Sequence, residues 1–481
     1  MSLHAVILAG GSGTRFWPLS REQAPKQLLS VFGNDSLIVG TLERAKEVIG
    51  EDGHIHIVVS ESLFDELRNH LLSHKEWRSA SINYIREPAA RNTAPALALA
   101  AAMIAHQDPD ATIIMLPSDH LCEQGVCWQT TIAEAVDAAA DGSLVTIGLR
   151  PTRPDTGFGY ISACHPERTS GACAVERFIE KPDRETAERF MQEGGYYWNS
   201  GMLVARADAV LEQLLEVQRL HPEASAARGN DALVSVARAL ADDPTDMDAL
   251  RQFKELPKEP FDKAALELSP CVKVVPTSFA WSDVGSLLAL EALAEPNERG
   301  TRVIGQGIDV DSVGTLNYSS KRLVTTLGLR DVLVVDTEDA TLVAARDRAQ
   351  DVRLIVGELQ RRGCPETSQT QTSRRPWGSW TMLTRGIGYH VKEIVVNAGA
   401  SLSLQRHHQR SEHWIVIEGE ATVGIDGIEQ VMSAGQSVFI PCDALHRLAN
   451  EGDSPLRIVE VAAGAYLGED DIERFDDNYG R

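Results

Sequence analysis

The sequence predicts an α/β domain on an open, mostly parallel sheet, then a small β-rich unit, then a small antiparallel β-barrel or sandwich. Three observations point there. Over the first 150 residues short apolar runs alternate with helix-like stretches, the pattern of strands joined by crossover helices. From about residue 300, short β-rich runs such as LVTTLG and DVLVVDT are separated by Gly and Asp. From residue 376, strand-like runs alternate with Gly turns at regular spacing, with no clear helix.

Residues 3–9 (LHAVILA) are an apolar run ending in Gly-Gly and read as a buried parallel strand. Residues 54–60 (HIHIVVS) repeat the pattern, and a helix-like stretch with Leu63, Phe64, Leu67 and Leu71 follows. Residues 95–106 (PALALAAAMIAH) read as a helix opened by Pro95 and capped by Thr93. Residues 111–116 read as a strand ending in Pro-Ser-Asp-His, 128–140 as a helix and 143–148 as a strand. A strand is expected at 173–180 and a helix at 183–193; the stretch 206–257 is mostly helical by composition. Residues 272–276 and 279–281 read as edge strands, with a helix starting near Ser286. The polar stretch 361–375 (RRGCPETSQTQTSRR) is poor in large apolar residues and reads as a linker. VKEIVV, ASLSLQ, EHWIVIEG, EATVGI, QSVFI and LRIVEV are the later strands, and the acidic end 469–481 reads as a short helix. The expected division is 1–299, 300–360, the linker 361–375, and 376–481.

The chain has 481 residues, too many for one ordinary domain, and 43 % are hydrophobic, enough for sizeable cores. A net charge of -23 disfavours nucleic acid or an anionic membrane surface as partner, while leaving room for a local basic pocket. MSLHAVILAGG lacks the basic start and long apolar run of a signal peptide. No charge-free stretch of 18 apolar residues occurs, so no transmembrane helix is expected. The cysteine count is odd, seven, and no CxxC pair exists, which argues against a disulfide framework or a zinc ribbon. A cytoplasmic protein is expected; a homo-oligomer is left open.

The strongest local signal is LAGGSGTRFWPLSREQAPKQLL, residues 8–29. A strand runs through Leu8 into Gly10, Gly11 and Gly13, which let backbone N–H groups approach phosphates. Arg15, Arg21 and Lys26 add positive charge, so a phosphate site is expected. No Gly-Lys-Ser/Thr closes the loop and its spacing is not GxGxxG, so neither a Walker loop nor a dinucleotide fingerprint is read. Asp119 in PSDH and Asp283 in WSDVG each follow a strand, where two carboxylates can clamp Mg²⁺ against phosphates. Gly157 and Tyr160 in TGFGY, Glu180 and Lys181 in FIEKP, and Asn199 in YYWNSG supply groups for a phosphorylated sugar.

With EPAARNTAPA and WSDVGS, these segments resemble the sugar-nucleotidyltransferase family, and most closely its mannose-1-phosphate guanylyltransferases. The resemblance implies a Rossmann-like mostly parallel sheet and attack by the phosphate of mannose 1-phosphate on the α-phosphorus of GTP, with Mg²⁺. It further implies that Gly10, Gly11, Arg15 and Lys26 face the triphosphate, with Arg21 also needed there. Arg91 and Asn92 lie near guanine or ribose, and Asp119 and Asp283 hold Mg²⁺. Gly157, Glu180, Lys181 and Asn199 hold the sugar phosphate. Asp262 stands in FDKA where the family usually has Ile-Asp-Tyr-Ala; the aspartate is kept, and a lysine in place of the aromatic implies a local change in sugar-site packing.

The second sharp signal is Gly399-x5-Gln405-x-His407-x4-Glu412-x6-Gly419, followed by Gly435-x5-Pro441-x4-His446-x3-Asn450. Gln405 and His407 alternate to one face of a strand; Glu412 and His446 belong to later ones. Four N and O donors suit Zn²⁺, Mn²⁺, Fe²⁺, Co²⁺ or Ni²⁺ without choosing among them. The pattern resembles the cupin family, with Gln405 where the first ligand is commonly His, as in type II phosphomannose isomerases. Over residues 3–481 the chain resembles the bifunctional mannose-6-phosphate isomerase/mannose-1-phosphate guanylyltransferase family. An all-β cupin barrel interconverting fructose 6-phosphate and mannose 6-phosphate is then implied. His413 and His408 are the candidate bases; regular alternation puts His413 opposite Glu412, and the resemblance favours it all the same. Arg406, Arg410, Arg447 and Arg474 are candidates for the sugar phosphate, with Arg474 favoured by the resemblance and Arg410 as a binding group. The alternative is a guanylyltransferase whose cupin is structural or regulatory.

Overall fold

The computed structural model describes residues 2–11, 13–33, 35–163 and 171–476. Two compact units are formed, Met1–Phe64 with Ser81–Thr367, and Asp65–Ala80 with Ser368–Arg481. In chain order the first elements are β1 (Leu3–Leu8), α1 (Leu37–Ile49), β2 (His54–Ser60), α2 (Glu61–Ser73), β3 (Ile82–Glu87), α3 (Thr93–Gln107), β4 (Thr112–Pro117) and β5 (Leu121–Cys122). Next come α4 (Val126–Ala139), β6 (Leu144–Leu149), β7 (Tyr160–Ala163), β8 (Cys173–Ile179), α5 (Arg184–Glu193) and β9 (Tyr196–Arg206). Helices α6 (Ala207–Leu220), α7 (Asn230–Asp242) and α8 (Met247–Glu255) lead to β10 (Val272–Thr277) and β11 (Trp281–Ser282).

The large sheet has the order β3-β2-β1-β4-β9-β6-β10-β8-β7. Strands β3, β2, β1 and β4 pair in parallel, as do β6 and β10. β9 runs antiparallel between β4 and β6, and β7 and β8 pair antiparallel, so the sheet is mixed on that side. β9 is buried along almost its whole length, so its sequence carries no mark of direction. Helix α3 is buried on nearly every face, and its alanines let α6 and α7 pack closely upon it.

Four local expectations change. Asn92, not Thr93, caps α3: its side chain accepts from Thr93 N, while the Thr93 hydroxyl accepts from Phe261 N. β10 is interior, between β6 and β8, and Val274 and Val275 are fully buried. In 279–281 only Trp281 is in a strand, paired through β11 with β5. The helix after Ser286 is a 3-10 segment, Leu287–Leu293.

A four-stranded sheet follows, β12 (Arg302–Val310), β13 (Leu316–Leu327), β14 (Val332–Asp336) and β15 (Thr341–Ala345), with its first three strands in parallel. Helix α9 (Val352–Arg361) closes it. Leu316, Leu333, Val335 and Val356 form one core with Phe16 and Trp17, which anchors the segment just after the glycine loop.

The second unit contains β16 (Thr372–Arg375), β17 (Gly378–Gly386), β18 (Tyr389–Val396), β19 (Leu404–His407), β20 (Arg410–Glu418) and β21 (Glu420–Ile425). It continues with β22 (Ile428–Ser433), β23 (Ser437–Ile440), β24 (His446–Ala449), β25 (Leu456–Gly464) and β26 (Ile472–Asp476). They form two antiparallel sheets, β16-β17-β18-β25-β20-β23 and β22-β21-β24-β19-β26, around a core that includes Trp377, Trp414, Val423 and Ile458. The stretch 361–375 is structured: Pro365–Thr367 forms one 3-10 turn and β16 pairs with β17. The acidic end is not a helix beyond the turn Glu469–Asp471, because β26 pairs with β19; residues 477–481 lie outside those described. Among the described residues no helix is long and apolar enough to cross a membrane.

Candidate active sites

In the first unit the glycine loop leaves β1 at Leu8, whose carbonyl accepts from Ser118 N just beyond β4. The two segments therefore lie side by side. Gly11 and Gly13 have φ of 121° and 58°, and a Cβ on Gly13 would lie 2.8 Å from the Cβ of Lys26. Lys26 is 7 % exposed. Its ammonium donates to Asp119 Oδ2 at 2.8 Å and to the Asp283 and Val284 carbonyls at 2.6 and 2.9 Å. The ribbon of β5 and β11 explains the meeting: Leu121 pairs with Ser282, so the residues just outside it, Asp119 and Asp283, are drawn to the same end.

The two carboxylates differ. Burial works to raise the Asp119 carboxyl, but Lys26 and His120 outweigh it and hold it below the usual range. Burial raises Asp283, with Asp119 and Asp155 adding like charge against Lys26 and Arg15. A site with two close carboxylates and one nearly buried lysine is short of positive charge, which suits a divalent cation. Arg15 donates to Gln350 at 2.9 Å and is otherwise exposed.

Arg21 corrects the expectation placed on it. It is 2 % exposed and donates to the Pro18 and Ser20 carbonyls and to Asp339 at 2.8 Å. Both terminal nitrogens of its guanidinium are engaged beneath the loop, on the loop's own carbonyls and on Asp339 of the following β unit, while Nε is buried without a partner among the described residues. Arg91 is half-buried and Asn92 exposed, both at the start of α3.

The sugar residues form a second cluster. Asn199 donates to Asp262 at 2.7 Å and accepts from Thr146 at 2.5 Å. Lys181, with φ of 49°, reaches back to the almost buried Glu180. Burial, and then Glu180, push the Asp262 carboxyl up to about 6 against Lys181 and Asn199. Asp262 thus belongs to this cluster despite the altered residue after it. Gly157 N–H donates to Asp155, which also pairs with Arg153 at 2.7 Å.

In the second unit, strand alternation places Arg410, Glu412 and Trp414 inside the barrel. Glu412 Oε1 lies 3.0 Å from His407 Nε2, and Oε2 lies 3.7 Å from His446 Nε2. All three residues are buried, and their ligand atoms lie within 4.8 Å of one another, a set able to hold a metal ion. Burial opposes ionisation of Glu412, but His407, His446 and Arg410 outweigh it and keep it charged. Burial lowers His446, whose Nδ1 meets the Ala444 carbonyl at 3.0 Å, leaving the Nε2 lone pair toward the cavity. Gln405 reaches the same atom from β19 at 3.5 Å. Arg474 lines the adjoining pocket and pairs in register with Gln405.

Residues 4–299 match the nucleotidyl transferase family, 305–359 the MannoseP isomerase/GMP-like beta-helix domain, and 362–477 the mannose-6-phosphate isomerase C-terminal family. The chain is 40 % identical over 478 residues to the xanthan biosynthesis protein XanB of Xanthomonas campestris, covering 99 % of this chain and 98 % of that one. It is 40 % identical over 485 residues to the alginate biosynthesis protein AlgA of Pseudomonas aeruginosa, covering 99 % and 97 %. It belongs to the bifunctional mannose-1-phosphate guanylyltransferase/mannose-6-phosphate isomerase family. A mannose-1-phosphate guanylyltransferase of Escherichia coli is 36 % identical over 495 residues, covering 100 % and 99 %. The structure solved as mannose-1-phosphate geranyltransferase from Thermus thermophilus aligns with a TM-score of 0.63 at 30 % identity, covering 75 % of this chain and all of that one. As a member of this bifunctional family the chain is an enzyme of two activities, guanylyl transfer and isomerisation.

For a member of this family the barrel overturns two expectations. His413 is exposed on the outer face of β20 against Phe439, because β20 alternates regularly. His408 is also outside, bound to Asp443 at 2.5 Å. Neither faces the metal cluster. Arg406 pairs with Glu473 and Arg447 with Asp476 away from the pocket, and Arg410, 2 % exposed, is tied to Glu412 at 3.2 Å.

Several candidate residues were missed by sequence reading. Glu87, at the end of β3, is 3 % exposed; burial pushes its carboxyl up to about 7, and one of its oxygens lacks a partner. A Cβ on Gly10 would lie 3.8 Å from its other oxygen. Glu87 opens the EPAARNTAPA segment, so the segment was visible but not the residue. His390 and Glu460 form a buried pair at 3.5 Å, and Glu460, Lys392 and Arg375 line the barrel pocket. Only the β18–β25 pairing brings Lys392 opposite Glu460.

Proposed function

We propose that the first unit joins GTP to mannose 1-phosphate, giving GDP-mannose and pyrophosphate, on the side of the sheet where the glycine loop, Asp119 and Asp283 meet. The carrying observation is the Lys26 ammonium, which ties Asp119 to the Asp283 turn directly under Gly13. Gly10, Gly11 and Gly13 offer backbone N–H groups to the triphosphate, with Arg15 beside them. Asp119 and Asp283 would hold Mg²⁺, which would supply charge neutralisation at the phosphates. Lys26 acts as a positioning residue, holding the Asp119 carboxylate and the Asp283–Val284 backbone before substrate arrives. Glu87 accepts from the N–H groups of guanine beside Gly10, and Arg91 and Asn92 border the nucleoside. Asn199, Asp262, Glu180 and Lys181 hold the sugar phosphate so that its oxygen lies in line with the α-phosphorus. Steady-state assays with GTP and mannose 1-phosphate test this; K181A should raise KM for mannose 1-phosphate far more than KM for GTP.

The second unit interconverts fructose 6-phosphate and mannose 6-phosphate. His407, Glu412 and His446, buried together, carry this reading. They fit a divalent transition metal, with Gln405 as fourth donor once its amide presents oxygen; such an ion would polarise the sugar carbonyl. Glu412 is committed to the cluster, and Glu460, 5 % exposed and lining the same pocket, is the carboxylate that moves the proton between C1 and C2. His390 behind Glu460 holds its orientation. Elemental analysis of the purified chain, with isomerase assays before and after chelation, tests the assignment.

A further inference from the structure

The barrel pocket, about 500 Å³ and open to solvent, carries more positive charge than the metal cluster uses. Besides Gln405, Arg410 and Glu412 it is lined by Arg375, Lys392, Glu469 and Arg474. Lys392 points inward from β18, is 6 % exposed, and lies 4.6 Å from the centre of the Trp380 ring. A nearly buried ammonium needs an anion, and here the anion is Glu469, with its Oε1 3.1 Å from Lys392 Nζ. Arg375 ends β16 and is also 3.6 Å from Glu66. Arg474 enters from β26.

Glu469 differs from the other two pocket carboxylates. Glu412 is 2 % exposed between His407 and Arg410, and Glu460 is 5 % exposed against His390. The Glu469 side chain is 55 % exposed and begins a one-turn segment, Glu469–Asp471. The approach to that turn is tethered by Arg410, which donates to the Gly468 carbonyl at 3.1 Å. Burial works to raise the Glu469 carboxyl, but Lys392, Arg410 and Arg375 outweigh it and hold it ionised. A monoanion here satisfies cations that a phosphate dianion satisfies better, since phosphate offers more charge and more acceptors to arginine forks and an ammonium.

We propose that Arg375, Lys392 and Arg474 form an oxyanion subsite for the phosphate of the isomerised sugar, and that Glu469 is its resident counter-anion, displaced when the phosphate enters. The proposal rests on the isomerase reading of this pocket and goes beyond it in naming what the phosphate replaces. The subsite selects phosphorylated over neutral sugars, and a competing carboxylate balances the cation cluster until the phosphate enters.

The probe is glucitol 6-phosphate, an open-chain sugar-alcohol phosphate that cannot isomerise, titrated calorimetrically into the full chain. Replacing Glu469 with Gln keeps the side chain's size and removes the competitor, so E469Q should bind at least threefold more tightly than wild type. K392M should bind at least tenfold more weakly, and E469Q should bring no gain in the K392M background. Guanylyl transfer by each variant verifies folding. Unchanged or weaker binding by E469Q, a gain that persists in K392M, or no binding by wild type and E469Q alike would overturn the proposal. Assay of the wild-type chain with fructose 6-phosphate judges the isomerase reading separately.

Discussion

Asp119 and His413 show what a single residue's surroundings decide. Asp119 meets Lys26 at 2.8 Å and is held ionised, as the proposed cation ligand has to be. D119N keeps the shape and loses the charge. Turnover in guanylyl transfer should fall at least hundredfold at limiting Mg²⁺, about 2.7 kcal/mol of transition-state stabilisation; wild-type turnover would remove Asp119 from the site. His413 lies outside the barrel, so H413A should keep isomerase activity within about twofold, and a loss beyond tenfold would return it to the mechanism. The metal-cluster residues His407 and Glu412 were legible because their chemistry and spacing are local. Arg21 was not, because its acceptors include Asp339, more than 300 positions away. Glu460, Lys392 and Glu469 were equally hidden, since their partners sit on other strands and no short motif records a barrel's interior.

At the scale of elements, the sequence displayed where strands lie better than how they run. The parallel start, β1 to β4, was legible from apolar runs separated by helices. β9 was not, because burial on both faces erases the alternation that marks an antiparallel strand. The start of β1 and β2 carries a further consequence. His4 and His56 are 6 % exposed, with ring nitrogens 3.0 Å apart, beside His54 and near Asp108. Burial, then His4 and His54, lower His56 to about 4. The unfolded chain takes up this proton near the ordinary 6.5, before the folded chain does. Stability from the neutral ring is therefore full above that value and is lost as pH falls toward 4. The loss is on the order of 2 kcal/mol at pH 5. Denaturant unfolding of the full chain at pH 7.5 and pH 5 should show a smaller difference for H56N than for wild type. Equal differences would show that the ring does not titrate this way. The glycine loop makes a second prediction at this scale. G13A forces a Cβ to within 2.9 Å of Lys26 N at a φ of 58°. It should shift Lys26 and lower guanylyl transfer at least tenfold while leaving isomerisation unchanged; wild-type transfer rates would contradict the packing account.

For the whole molecule, the central claim is that one chain carries two chemically independent sites. Every proposed transferase residue lies in Met1–Phe64 or Ser81–Thr367, and every proposed isomerase residue lies in Ser368–Arg481. The sugar must be rearranged at its phosphate between the two reactions, from the 6-phosphate to the 1-phosphate, so the product of one site is not the substrate of the other. Domain order and chemistry were legible in sequence because the glycine loop and the Gln405–His446 pattern are each compact. The stretch 361–375 misled because polar threonines and arginines suit an edge strand such as β16 as well as a linker. The most direct test is a paired assay of wild type, D119N and H407A, each as one pure protein, with GTP plus mannose 1-phosphate and separately with fructose 6-phosphate. Wild type should perform both reactions, D119N should lose only guanylyl transfer, and H407A should lose bound metal and only isomerisation. Loss of both activities in either folded variant, or isomerisation that persists in H407A, would contradict the account.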